Sequence, residues 1–169
     1  FNAKDVLVGI AASGRTPYVL GAIDHARSVG ASVIAVTCCP GSAIDRAADI
    51  GIAPEPGPEV IAGSTRMKSG TAQKMVLNML STGTMIKLGK VYGNLMVDVK
   101  PSNEKLIRRC ITIVCEATGE SEAQAAAALD KCGYSCKQAI VMLLRGVGVD
   151  EAARLLEKAD GRVAQAIAG

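Results

Sequence analysis

The sequence predicts an α/β fold: a parallel sheet flanked by helices, followed by a small all-helical C-terminal region. Three observations carry this. Short continuous apolar runs alternate with segments of helical period over the first 53 residues. The connections between these runs suit parallel strands joined by right-handed helical crossovers. From Pro101 onward strand patterns give way to capped helices separated by glycines. The expected division is residues 1–100 as the α/β part and 101–169 as the helical part.

The elements follow in order. Val6–Ile10 (VLVGI) reads as a strand buried on both faces. Ser13, Gly14 and Arg15 form a turn, with Thr16 as N-cap and Pro17 as first helical residue. Leu20, Ile23 and Ala26 give that helix its apolar face, and Gly30 stops it. Residues 32–37 (SVIAVT) are a second strand. A short helix follows Pro40-Gly41-Ser42 and runs to about Ala47, and residues 49–53 (DIGIA) are a short third strand. The loop 54–58 (PEPGP) can enter neither a helix nor a central strand. The strongest helix spans about 64–88, with Ala72, Met75, Val76, Met79, Leu80, Gly83 and Ile86 in one stripe for core or dimer packing. Residues 89–100 form the connection to four or five helices. Ser102 or Asn103 caps the first of these, and Ser121 with Gln124 makes a capping box on the second, which ends at Gly133. The third covers 135–145, ended by Gly146. Asp150 starts the fourth, and Gly161 precedes the last.

Bulk properties narrow the function. At 49% apolar residues the chain can build a core, but Ala, Val, Ile, Leu and Met must fill it because aromatics are only 2%. No apolar run reaches membrane-spanning length, and no secretory signal is visible. The chain opens on Phe1 with a strand five residues later, so a piece of a longer protein is expected. Residues 64–109 carry nine basic and two acidic side chains, against four and six before them and six and eight after. That central positive charge fits an anionic ligand, or equally a solvated lysine surface. Nucleic acid fits poorly, since stacking aromatics and a long basic face are lacking. Cys38, Cys39, Cys110, Cys115, Cys132 and Cys136 miss zinc-site spacings and read as free thiols in a reducing cytoplasm, Cys132 and Cys136 on one helix face. No metal and no cofactor is expected.

Two segments carry chemistry. Residues 63–74 (GSTRMKSGTAQK) run from a hydroxyl-rich basic turn into a helix. Free backbone N–H groups, the hydroxyls of Ser64 and Thr65, and the cations Arg66 and Lys68 converge there, an arrangement suited to phosphate. Residues 9–17 (GIAASGRTP) repeat this chemistry after a strand, with Ser13, Gly14, Arg15 and Thr16 at the strand's C-terminal end, where open α/β sheets bind ligands. Each residue also has a plain structural role open to it. Thr16 can simply cap, Gly14 turn, Arg66 and Lys68 pair with carboxylates, and Glu59 sit on a rim. His25 is mid-helix without a triad partner. Cys38 and Cys39 lie close to the expected ligand but lack a base.

These motifs resemble the sugar isomerase (SIS) phosphosugar-binding family, and more narrowly the C-terminal part of the bacterial N-acetylmuramic acid 6-phosphate etherases. The resemblance rests on VGIAASGRTPYV, GSTRMKSGTAQKMVLNMLST and GKVYGNLMVDV, followed by NEKL and ATG, and covers essentially the whole chain. It implies a carbon–oxygen lyase that removes D-lactate from the 3-position of the sugar, leaving N-acetylglucosamine 6-phosphate, in peptidoglycan recycling. It implies a cytoplasmic homodimer with Ser13, Gly14, Arg15, Thr16, Glu59, Ser64, Thr65, Arg66 and Lys68 at the phosphosugar, and Asp98 as a structural anchor. The family's two catalytic glutamates are expected upstream of Phe1, so no catalytic residue is assigned and the chain alone is expected to be inactive. The other readings are a non-catalytic phosphosugar-binding regulatory protein, an SIS-type sugar-phosphate isomerase and, more weakly, a transcription regulator.

Overall fold

The computed structural model describes all 169 residues, in two compact units, Phe1–Ser81 and Thr82–Gly169. In the first unit, β1 (Val6–Ile10), α1 (Pro17–Ser28), β2 (Ser32–Val36), α2 (Ala43–Ala47) and β3 (Ile50–Ile52) alternate. The strands form one parallel sheet in the order β1-β2-β3, with Val8 opposite Ile34 and Ile34 opposite Ile50. Two successive crossovers of the same hand put α1 and α2 on the same face. There Leu7, Val33 and Ala35 pack with Ile23 and Ala26 of α1 and Ile44 of α2. Gly9 allows the close approach: a Cβ at that position would lie 3.0 Å from Val19 Cγ1.

The opposite face corrects the expectation of strands buried on both sides. Val6, Ile10 and Ile50 are exposed there, and Val36 is the one fully buried residue of that face. A continuous apolar run fits a doubly covered strand, but the helices that pack into the sheet's core cluster, α1 and α2, both lie on one face.

The long helix, α3 (Lys68–Lys87), starts four residues later than the sequence pattern suggests. Residues 64–67 form an irregular turn whose closing group is a side chain, described below. Along α3 only Ser69 and Val76 are buried, whereas Met75, Met79 and Ile86 are exposed, so the methionine stripe is no core of this chain.

In the second unit, residues expected only to connect form a small antiparallel hairpin, β4 (Val91–Tyr92) and β5 (Leu95–Met96), turning at Gly93 with φ 58°. Lys90 and Asp98 pair at its base, and this bond holds the Asp98 carboxyl below its ordinary range. Val97, just beyond β5, is buried in the helical core. That core comes from five helices: α4 (Glu104–Thr118), α5 (Glu122–Lys131), α6 (Cys136–Arg145), α7 (Val149–Lys158) and α8 (Val163–Ala168). Asn103 caps α4 by accepting the Leu106 N–H at 3.0 Å, and the Ser121–Gln124 capping box forms on α5. Cys132 and Cys136 do not share a helix. Cys132 is the C-cap of α5 and Cys136 opens α6, because Gly133 and Tyr134 turn the chain through positive φ between them.

The helical unit contains an internal duplication. Shifting the sequence by 27 positions lays Leu129-Asp130-Lys131 on Leu156-Glu157-Lys158, and Gln138-Ala139-Ile140 on Gln165-Ala166-Ile167. The same shift carries the starts of α5 and α6 onto those of α7 and α8, and the positive-φ pair Gly133–Tyr134 onto Asp160–Gly161. Burial repeats as well: Ala125 with Ala152, Leu129 with Leu156, Cys136 with Val163 and Ala139 with Ala166. α5–α6 and α7–α8 are thus two copies of one helix–turn–helix hairpin.

Candidate functional site

A cavity of about 550 Å³ opens in the first unit at the C-terminal ends of the parallel strands. Three loops border it. The β1–α1 loop supplies Ala12, Ser13 and Arg15, the β2–α2 loop supplies Cys38 and Cys39, and the segment before α3 supplies residues 55–59 and 62–65, with Ser69 from α3 itself. Loops gather here because all three strands end on the same side of a parallel sheet.

Buried Thr37 ties the first two loops together. Its hydroxyl donates to the Ala12 carbonyl at 3.2 Å and accepts the Cys39 N–H at 3.2 Å. The Cys38 N–H also reaches the Ala12 carbonyl, at 2.9 Å, and the Ile44 N–H reaches the Gly14 carbonyl at 3.0 Å. Gly14, at φ 66°, is pressed against this lock: a Cβ there would collide with Ser42 and lie 2.8 Å from Thr37 Oγ1. Gly14 is therefore obligatory for both φ and space, and it is buried under the loop. Thr16 sits at the N-cap of α1 but makes no side-chain capping bond.

The start of α3 is closed by Glu59. Its Oε2 accepts the Lys68 N–H and its Oε1 the Ser69 N–H, both at 3.1 Å. The Ser69 and Lys68 amides hold the Glu59 carboxyl below its ordinary value, so it is ionised at neutral pH. The donors expected to be free for an anion at residues 68 and 69 are thus occupied by the chain's own carboxylate. The hydroxyl residues Ser64 and Thr65 remain at the cavity wall.

Of the residues singled out from sequence, Ser13, Arg15, Glu59, Ser64 and Thr65 are brought to this one cavity. Arg66 and Lys68 border a separate shallow depression with Met67, Thr71 and Ala72. Sequence reasoning missed Thr37, Ser42, Glu55 and Ser69. The signal for Thr37 and Ser42 was weak, a lone hydroxyl at a strand end and one after a glycine. No group of three or more His, Cys, Asp or Glu side chains is placed to hold a metal ion. No helix is long and apolar enough to cross a membrane.

The loop-lined cavity at the strand ends agrees with what family comparison finds. Residues 1–83 match the SIS domain family. The chain carries an SIS domain over its first 83 residues. Its SIS domain is followed by a segment, residues 93–139, that matches the C-terminal lid domain of glucokinase regulatory protein. Over 161 residues the chain is 58% identical to N-acetylmuramic acid 6-phosphate etherase of Photorhabdus laumondii, covering 95% of this chain and 54% of that protein. It is likewise 58% identical to the etherase of Aeromonas hydrophila and to etherase 1 of Vibrio cholerae, covering 98% of this chain and 55% of each. The chain therefore spans about half the length of these relatives. All the cavity residues named above lie within the SIS match.

Proposed function

We propose that this chain is the phosphosugar-holding part of an N-acetylmuramic acid 6-phosphate etherase, and that the cavity beside Ser64 and Thr65 takes the sugar phosphate. The observation that carries the reading is the mixed chemistry of one cavity wall. The Ser13, Ser64 and Thr65 hydroxyls and the Arg15 guanidinium suit a phosphate ester. Glu55 and Glu59 border the same space and would repel a bare phosphate, but carboxylates accept hydrogen bonds from sugar hydroxyls. A ligand with an anionic end and a hydroxylated body satisfies both. Gly14 and Thr16 support the loop, while Arg66 and Lys68 add positive potential from outside the cavity.

The reaction so proposed is an elimination followed by addition on the ring-opened aldehyde. A base takes the proton at carbon 2, the carbon 3–oxygen bond breaks with an acid assisting D-lactate, and water adds back to give N-acetylglucosamine 6-phosphate. Neither base nor acid is assigned to a residue of this chain. Glu59 has both oxygens engaged by backbone amides, which makes it a structural carboxylate of the wall. The exposed methionine face of α3 suits a homodimer, and the reading places the protein in the cytoplasm.

The match to the lid of glucokinase regulatory protein favours one alternative, a non-catalytic phosphosugar-binding protein. A coupled lactate assay on the whole protein with N-acetylmuramic acid 6-phosphate separates the two. Lactate release supports the lyase, and tight binding without release supports the regulator.

A further inference from the structure

Two adjacent thiols at the cavity are used by nothing described so far. Cys38 and Cys39 both border it, and all six cysteines are free. The chain bends at these residues instead of continuing β2, so both side chains belong to the cavity rim. Their backbone is fixed by the Cys39 N–H to Thr37 Oγ1 bond and the Cys38 N–H to Ala12 carbonyl bond. Their exposure differs. Cys38 is partly buried with its Sγ 4.0 Å from the Ser69 carbonyl, and Cys39 is open to solvent.

The remaining thiols are buried or half-buried. Cys110 and Cys136 lie in the helical core at 0% and 1% exposure. Burial, and then contact with Cys110, pushes the Cys136 thiol up to about 12. Burial also raises Cys115 and Cys132. A thiol-specific electrophile has one exposed target in this molecule, and that target borders the cavity where three loops converge.

We propose that Cys39 is a modification site for low-molecular-weight disulfides, and that the resulting mixed disulfide occupies the cavity and excludes its ligand. The Cys39 thiolate attacks one sulfur of the disulfide. A new S–S bond forms, the old one breaks, the leaving thiol is reduced, Cys39 is oxidised, and the thiol proton passes to solvent. Excess thiol reverses the step. The excluded ligand rests on the phosphosugar reading above, whereas the reactivity of Cys39 and the position of its adduct do not.

The test uses the full chain carrying Cys38→Ser, which prevents exchange with the neighbouring thiol, and 4,4′-dithiodipyridine as probe. Peptide-resolved mass spectrometry should find Cys39 labelled at least about tenfold faster than Cys110 and Cys136. The label should shift the backbone amide resonances of Ser64 and Thr65 and leave those of α5–α8 in place. Equal labelling of Cys39 and the core thiols, or unmoved Ser64 and Thr65 resonances, overturns the proposal. A titration with N-acetylglucosamine 6-phosphate then separates the two readings. Binding abolished by the label supports both. Equal binding with and without it overturns the exclusion. No binding to unlabelled protein, with the resonances still shifted, overturns the phosphosugar reading and upholds the thiol site.

Discussion

The Glu59 carboxylate accepts the Ser69 backbone N–H at 3.1 Å, so the start of α3 carries an anion supplied by the chain ten residues upstream. This bond, with its partner to Lys68, fixes the turn that presents Ser64 and Thr65 to the cavity. It also explains the late start of α3. The segment 64–67 is held as a turn by a tether reaching back to the proline-rich loop.

Glu59→Gln should loosen that turn. The neutral amide offers one acceptor oxygen where the carboxylate offers two. Hydrogen exchange at Lys68 and Ser69 should quicken severalfold at pH 7, with the rest of the sheet unchanged. The pH dependence follows from the lowered Glu59 pKa. The cap is fully present above the ordinary value of 4.5 and is lost as pH falls through the lower folded value. Wild-type protein should therefore lose protection at these amides in acid, and the Gln variant should show no such step. Unaltered exchange at pH 7 would remove Glu59 from this role.

Gly14 and Ser42 should be coupled. Gly14→Ala places a Cβ against Ser42 at φ 66°, and the left-handed conformation alone costs about 1–2 kcal/mol. Adding Ser42→Gly should relieve the collision with Ser42, but neither the close approach to Thr37 Oγ1 nor the backbone strain. Urea unfolding of the two single variants and the double gives the coupling directly. Strict additivity would mean the two loops do not touch as described.

Thr37→Val should cost roughly 1–3 kcal/mol, because the Ala12 carbonyl loses a donor and the Cys39 N–H loses its acceptor inside the protein. Thr37→Ser keeps the hydroxyl and should retain most of that stability. A Val variant as stable as wild type by urea unfolding would contradict the lock between the loops.

The duplicated hairpin makes a paired prediction. Leu129 and Leu156 hold equivalent core positions at 0% and 8% exposure. Each Leu→Ala change should destabilise the helical unit by about 2–5 kcal/mol, with Leu129 at the higher end. Thermal unfolding followed by circular dichroism measures both. A near-neutral Leu156→Ala would break the equivalence of the two hairpins.

Much of this was legible in the residues. The parallel order of β1 to β3, Pro17 opening α1, the Asn103 and Ser121 caps and the Gly146 stop all follow from local chemistry, and the structure has each of them. What failed to show was long-range. Glu59 stands nine and ten residues from the amides it satisfies, and Thr37 bridges loops 25 residues apart. The open face of the sheet was equally hidden, because Val6, Ile10 and Ile50 read the same whether or not something covers them. The 27-residue duplication was present in the sequence, but its two halves share few identical residues, and the paired positive-φ turns make it plain. At the site, Ser13, Arg15, Ser64 and Thr65 converge from two glycine-bearing loops, whereas Arg66 and Lys68 border another depression.

The most direct test of the central claim is a crystal of the protein soaked with N-acetylglucosamine 6-phosphate. The phosphate should lie within hydrogen-bonding distance of the Ser64 and Thr65 hydroxyls, with the sugar hydroxyls toward Glu55 and Glu59. A phosphate bound instead against Arg66 and Lys68, on the other surface, would contradict it.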